Sequence, residues 1–208
     1  MVKYTLTYFE VRGYAEAARQ VFHLANVEFE DRRVTHEEWN ASIKSGTSLE
    51  KLPVLHVDGF EIPQSLAITR YLARKFGFAG KTPEEEAWVD AIADQFKDFT
   101  EPFRQYMVAA RLGKSEEEVA KTRAEVSVPA AEKFLGLMTS LLEKSKSGFL
   151  VGDGVTFSDL IVADILVTMQ KNGFIEEGKY EKLVEHQKKV QSLPGLKEYI
   201  ETRPDTQF

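Results

Sequence analysis

Cysteine is absent from the 208 residues of the chain. Disulfides, thiolate metal sites and a cysteine nucleophile are thereby excluded, and any thiol chemistry has to use a sulfur that a ligand brings. Histidine is scarce. His23, His36, His56 and His186 are the full set, and none stands in an HxxxH or HxxE spacing, so no metal site is expected. No stretch approaches the roughly 18 consecutive apolar residues of a membrane span. The opening MVKYTLTYFE alternates polar with apolar residues instead of pairing a basic start with an apolar run, so it does not read as a signal peptide. No membrane association is expected, and the expected location is cytoplasmic. Dense Lys/Arg clusters are missing too; 27 basic residues face 33 acidic ones for a net charge of −6, which argues against nucleic acid as a partner. Internal repeats and low-complexity segments are likewise lacking.

What is present has the balance of a soluble globular protein, with 43% hydrophobic and 29% charged residues. The length suits two modest units sharing an interface. Lys3 to Phe9 alternates cleanly and reads as a strand, with Tyr4, Leu6 and Tyr8 on one face. Past Glu10-Val11-Arg12-Gly13, the residues Ala17, Ala18, Val21, Phe22 and Ala25 recur at helical spacing. Phe29 to Val34 reads as a second strand, and His36 to Ser45 as a short helix carrying Trp39 and Lys44. A helix between two strands of one sheet makes those strands parallel.

Lys51 to Phe76 is the most informative stretch. Leu52 to Val57 is short and β-branched, Asp58-Gly59 is a hairpin dipeptide, and Phe60 to Ile62 returns before Pro63. Leu66, Ile68, Tyr71, Leu72 and Phe76 then form a helical stripe, for which Ser65 is the expected N-cap. A helix N-terminus beside a small hydroxyl binds anions, because orphan N–H donors and the dipole act together. Thr82-Pro83-Glu84-Glu85 opens a new helix. Its stripe of Trp88, Ala91, Ile92, Phe96, Phe99, Phe103, Tyr106 and Met107 runs to Leu112-Gly113, past Pro102, which leaves the Asp98 carbonyl without its helical donor. Ser115 and Thr156-Phe157-Ser158-Asp159 start further helices, and LIVADILVTM is apolar enough all round to sit in the centre of a core. From residue 83 onward the pattern is helical throughout.

Leu52-Pro53 before the third strand, Gln64-Ser65, Tyr8 ending the first strand, and Asp159 heading a central helix occur here in one order. In that combination the whole chain resembles the cytosolic glutathione transferases. The stretches KYTLTYF, QSLAITRYLARKFGFAGKTPEE, FLVGDGVTFSDL and IETRPDTQF look most like the sigma class, which also contains the glutathione-dependent prostaglandin D synthases. The resemblance implies an α/β thioredoxin-like N-terminal domain (βαβαββα, mixed four-stranded sheet) over 1–79 and an all-α C-terminal helical domain over 82–208, assembled as a homodimer. It implies glutathione as co-substrate, a small hydrophobic electrophile as partner, and no metal.

By the same resemblance, Tyr8 donates a hydrogen bond to the glutathione sulfur. A thiol of pKa ~8.5 is only a few per cent thiolate at neutral pH. Lowering that value by about two units takes roughly 2.7 kcal/mol, the size of one charge-assisted hydrogen bond at about 1.5–3 kcal/mol. Glutathione is then held by Trp39, Lys44 and Lys51 at the glycyl carboxylate, by the Leu52 backbone ahead of a cis Pro53, and by Gln64 and Ser65 at the γ-glutamyl carboxylate. Asp98 is expected to reach the glutathione of the other subunit. Asp159 is expected to be structural. The second-substrate pocket is expected to be lined by Phe9, Arg12, Gly13, Tyr14, Tyr106, Ile161 and Phe208. Many sigma-class members carry arginine where this chain has Tyr14, which weighs against prostaglandin isomerisation more than against conjugation. The alternatives to conjugation are a glutathione-dependent prostaglandin isomerase or peroxidase, and a non-catalytic ligand-binding or structural relative.

Overall fold

The computed structural model describes residues 2–208. Its first half is ordered strand, helix, strand, helical segment, hairpin, helix. The elements are β1 (Tyr4–Phe9), α1 (Glu16–Leu24), β2 (Glu30–Val34), α2 (His36–Glu38), β3 (Val54–Val57), β4 (Phe60–Pro63) and α3 (Ser65–Phe76). The strands lie in the order β2-β1-β3-β4, with β1 parallel to β2 and antiparallel to β3, and β3 antiparallel to β4. The second half comprises α4 (Pro83–Arg111), α5 (Glu116–Thr122), α6 (Val128–Lys144), α7 (Phe157–Lys171), α8 (Glu181–Gln191) and α9 (Leu196–Thr202).

Local chemistry accounts for most of these boundaries. Thr82 accepts a hydrogen bond from the Glu85 N–H at 3.2 Å, and Pro83 takes the first helical position, where its missing donor costs nothing. Helix α4 continues through Pro102, whose own carbonyl accepts from the Ser127 hydroxyl at 2.9 Å. At α7 the capping box is reciprocal: Thr156 Oγ1 receives the Asp159 backbone and Asp159 Oδ2 receives the Thr156 N–H at 2.8 Å. Asp159 Oδ1 accepts from the Leu150 N–H and lies 2.8 Å from His186 Nε2, so this wholly buried carboxylate ties α7 to α8 and to the preceding loop.

Three local expectations are revised. Ser65 is not the N-cap of α3. Gln64 holds that position at φ +73°, turning the chain so that Ser65 is the first helical residue, and no side chain caps the helix. The segment from His36 is not one regular helix: after α2 it passes through a π-helical turn (Trp39–Ile43) and a 3-10 turn (Lys44–Gly46). Trp88 is 59% exposed, because the buried side of α4 is carried by Val89, Ile92, Ala93, Phe99 and Phe103.

One core joins the two halves. Tyr4, Leu6 and Tyr8 of β1, Ala18, Val21 and Phe22 of α1, and Ile68 and Leu72 of α3 pack in the same cluster as Val89 of α4 and Phe157, Leu160 and Ile161 of α7. Each large side chain so buried is worth about 1.5–3 kcal/mol, so β1, α1 and α7 are held together by one shared core. A second cluster around Phe99, Phe134, Met138, Leu166 and Met169 lies within the helical half.

Candidate active site

The sheet register places the predicted residues at one edge. Thr7 pairs with Val54, and Val54 pairs with Pro63. One residue beyond these pairs come Tyr8, still in β1, and Pro53 and Gln64, which flank the ends of β3 and β4, so the three positions follow one another across the same end of three adjacent strands. Adjacent strands lie about 4.8 Å apart, so the step from Tyr8 to Gln64 spans roughly 10 Å. The Leu52–Pro53 peptide bond is cis. Pro53 is buried, Leu52 and Ser65 half-buried, and Gln64 exposed.

Beside this edge lies a cleft of about 330 Å³ between the β1–α1 loop, α4 and α7. Tyr8, Phe9, Gly13, Tyr14, Ile161 and Phe208 line it, as does Ser65. Tyr8 is only 7% exposed, and burial pushes its hydroxyl up from the ordinary phenol value of 10.0. The hydroxyl oxygen accepts a hydrogen bond from the Tyr14 N–H at 3.3 Å. Its own proton is therefore free to be donated into the cleft. Gly13 makes the close approach possible. It holds φ +42°, and a Cβ there would stand 2.8 Å from the Tyr8 hydroxyl oxygen. Phe9 packs between His36, at 4.2 Å between centroids, and Trp39, at 6.4 Å.

Two expected lining residues are elsewhere. The Arg12 side chain is 3% exposed and turned to α7, donating to Asp164 Oδ1 at 2.8 Å and Thr168 Oγ1 at 2.9 Å. Tyr106 points away from the cleft, with its ring 5.4 Å from Phe174 and 5.2 Å from the Arg123 guanidinium. Trp39, Lys44, Lys51 and Asp98 also lie outside the cleft wall. Trp39 is buried against Phe9; Lys44 and Lys51 are exposed, with Lys44 Nζ 3.8 Å from Glu50; Asp98 is exposed on α4.

A buried charge network beneath the cleft escaped the sequence reading. Glu16 accepts from Tyr199 and Arg203, and Arg203 also bonds Asp164, which already holds Arg12. Arg19, wholly buried, donates to Asp31 at 3.0 Å and to the Val11 carbonyl at 2.8 Å, with its guanidinium 5.9 Å from the Tyr8 ring centroid. Burial beside Glu16 raises the Tyr199 hydroxyl well above its usual value, which keeps it a donor. The signal was available in part: on α1 the charged Glu16 and Arg19 are buried beside Ala18, Val21 and Phe22 of the apolar stripe. Among the described residues no cluster of His, Asp or Glu could hold a metal ion, and no helix is long and apolar enough to cross a membrane.

Two family models match the chain, "Glutathione S-transferase, N-terminal domain" over residues 4–74 and "Glutathione S-transferase, C-terminal domain" over residues 97–203. Glutathione S-transferase 4 of Caenorhabditis elegans is 47% identical over 206 residues, covering 99% of each chain. The solved structure of a Nu-class GST from Haemonchus contortus is 48% identical with a TM-score of 0.91, covering 100% of both chains. Na-GST-3 of the hookworm Necator americanus, described as monomeric, is 48% identical with a TM-score of 0.90, covering 99% of this chain and 100% of that one. More distant is rat hPGDS complexed with a quinoline, at 30% identity and a TM-score of 0.88 over 99% of this chain and 100% of that one.

Proposed function

The chain belongs to the glutathione S-transferase family, and from that premise we propose that it transfers the thiolate of glutathione to hydrophobic electrophiles, with Tyr8 as the group that holds the sulfur ionised. The observation that carries this reading is the register Thr7–Val54–Pro63, which brings Tyr8, Pro53 and Gln64, each the next residue, to the same end of three adjacent strands. A tripeptide laid along that edge is about 10 Å long at roughly 3.3 Å per residue. Its γ-glutamyl carboxylate then meets the free N–H groups at the start of α3, beside Gln64 and Ser65. Its cysteinyl backbone pairs with Leu52 ahead of Pro53, as an added strand would, and its sulfur reaches Tyr8. Trp39, Lys44 and Lys51 serve the glycyl end.

In this mechanism the Tyr8 hydroxyl donates its proton toward sulfur while its oxygen is fixed by the Tyr14 N–H. The thiol proton leaves to solvent, and the thiolate bonds an electrophilic carbon held in the cleft while that carbon either releases its leaving group with the electron pair or passes a π pair to an acceptor atom that is then protonated by water. The phenol keeps its own proton, as its raised pKa favours.

The class within the family rests on two leads: the motifs resemble the sigma class, with rat hPGDS at 30% identity, while the more similar relatives are nematode enzymes, one of them described as Nu-class. Tyr14, 41% exposed, supplies no cation at the sulfur, and Arg12 is committed to Asp164. Conjugation is therefore preferred over prostaglandin isomerisation. We further take the two domains as 1–79 and 82–208, the location as cytoplasmic and the assembly as a homodimer in which Asp98 reaches the neighbouring glutathione. The description of Na-GST-3 as monomeric makes sedimentation the necessary check on assembly. The function itself is tested by glutathione conjugation to 1-chloro-2,4-dinitrobenzene. Turnover is expected, and glutathione binding without turnover would support a non-catalytic binder instead.

A further inference from the structure

The cleft wall has a charge pattern that apolar electrophiles do not need. Along α4 the residues facing the cleft are Phe96, Thr100, Phe103, Arg104, Met107, Val108 and Arg111. Their spacings of three and four form one stripe with an arginine at two levels, about 10.5 Å apart along the axis at 1.5 Å per residue. The two acidic side chains in the wall, Glu16 and Asp164, are already matched by Arg12, Arg19 and Arg203. Arg104 and Arg111 are matched far less. Among the described residues Arg104 meets only Glu101, at 3.5 Å with both side chains more than half exposed, a contact of little worth in water. Arg111 Nη2 lies 2.8 Å from His36 Nε2. A guanidinium only donates, and an imidazole carries no negative charge, so this contact brings Arg111 no counter-charge. In a protein of net charge −6 the unneutralised charge of this one wall is positive.

We propose that the cleft selects amphipathic electrophiles that carry a carboxylate, with the acid group forked by Arg104 and Arg111 at the rim and the apolar body lying along Phe103, Met107 and Val108 toward Tyr8. This deepens the proposed transferase reading and rests on it. Guanidinium groups suit the role because their paired N–H donors match a carboxylate, and a carboxylate, unlike His36, brings Arg111 the opposite charge. With a conjugated enone as the reacting group, the glutathione sulfur bonds the β-carbon. The π pair passes to the carbonyl oxygen, and the enolate takes a proton from water, so no oxidant or reductant is required.

The test uses matched acids and esters on the full chain. Dodecanoate and methyl dodecanoate are competed against a neutral fluorescent dye in the cleft, and an unbranched enone acid and its methyl ester are compared as substrates at saturating glutathione. Wild type should favour the acid by about tenfold in both, falling as salt rises. The Arg104→Met/Arg111→Met double variant, which keeps the apolar stems of two exposed side chains, should bring the ratio close to one. Equal binding of acid and ester by wild type would overturn the proposal. So would a preference that survives in the double variant, or a double variant that raises the KM for glutathione and leaves the ratio intact. If neither enone turns over but the dodecanoate preference is present and arginine-dependent, the transferase reading fails while the carboxylate site stands.

Discussion

The Tyr8 hydroxyl oxygen sits 3.3 Å from the Tyr14 backbone nitrogen and accepts its N–H. That single bond fixes the oxygen of the catalytic candidate without using its proton, and burial keeps the proton in place. Tyr8→Phe should therefore lower kcat/KM for conjugation by about 100-fold at neutral pH, the equivalent of roughly 2.7 kcal/mol. Glutathione affinity should change only a few-fold. The ultraviolet absorbance of bound thiolate, followed against pH, should show its transition displaced upward by about two units in the variant. Variant turnover equal to wild type at pH 7 would remove Tyr8 from the mechanism.

The same phenol gives a pH prediction. Its folded-state pKa is raised above the unfolded value of 10.0, so the native state holds the proton more tightly and the associated stability is fully present below pH 10. It is lost as pH rises through the higher folded value. Alkaline difference absorbance should find the Tyr8 transition above that of exposed tyrosines, and Tyr8→Phe should flatten part of the alkaline fall in unfolding free energy.

Gly13 governs where that hydroxyl points. A methyl group at this position would lie 2.8 Å from Tyr8 Oη and 2.9 Å from Cε1, on a backbone at φ +42° that side chains rarely adopt. Gly13→Ala should therefore cost about 1–3 kcal/mol in strain. It should also reduce kcat well beyond what the loss of folded protein explains, measured under conditions where circular dichroism shows the variant folded.

Much of this arrangement was legible because it is locally encoded. Asp58-Gly59, Thr82-Pro83 and the Thr156–Asp159 box each state their turn or cap within four residues, and the alternation of Tyr4, Leu6 and Tyr8 fixes which face of β1 is buried. What was not legible depends on partners far away or on single-residue rotation. Arg12 and Asp164 are 152 residues apart, and Glu16 and Arg203 are 187 apart, so no local pattern pairs them. On α4, Tyr106 and Met107 differ by one helical step, yet one packs on Phe174 and the other faces the cleft. Gln64 at φ +73° is a conformation seldom taken by a residue other than glycine, and it moved the cap by one position.

Asp159 is a stability residue in every contact it makes. Asp159→Asn turns one oxygen into an NH₂ that would face either the Thr156 N–H or the Leu150 N–H, both 2.8 Å away. One donor is left unsatisfied in a site with no solvent access, and the His186 contact is weakened if the amide is turned the other way. A loss of about 2–4 kcal/mol is expected from the cap and the buried hydrogen bonds together. Urea unfolding should show it as a lower midpoint with an unchanged slope.

Asp98 tests assembly. In a dimer verified by sedimentation, Asp98→Ala should raise the KM for glutathione about tenfold, the effect of one hydrogen bond to a charged group, with kcat at saturating glutathione nearly unchanged. An unaltered KM in the verified dimer removes the cross-subunit role.

Arg12 separates stability from catalysis. Its position one residue before Gly13 suggests a group acting on the sulfur, but its side chain is buried and spent on Asp164 and Thr168, and its N–H is held by the Phe208 carbonyl at 3.1 Å. Arg12→Ala removes one of the two arginines that compensate Asp164, leaving Arg203 at 3.2 Å. Breaking one side of a buried ion pair typically costs about 3–5 kcal/mol, which for a chain of this size lowers Tm by roughly 6–20 °C. The variant's kcat/KM, measured well below its own unfolding transition, should fall far less than that of Tyr8→Phe. An Arg12→Ala protein of unchanged Tm whose thiolate transition moves upward in pH would instead place the guanidinium in the activation of the sulfur.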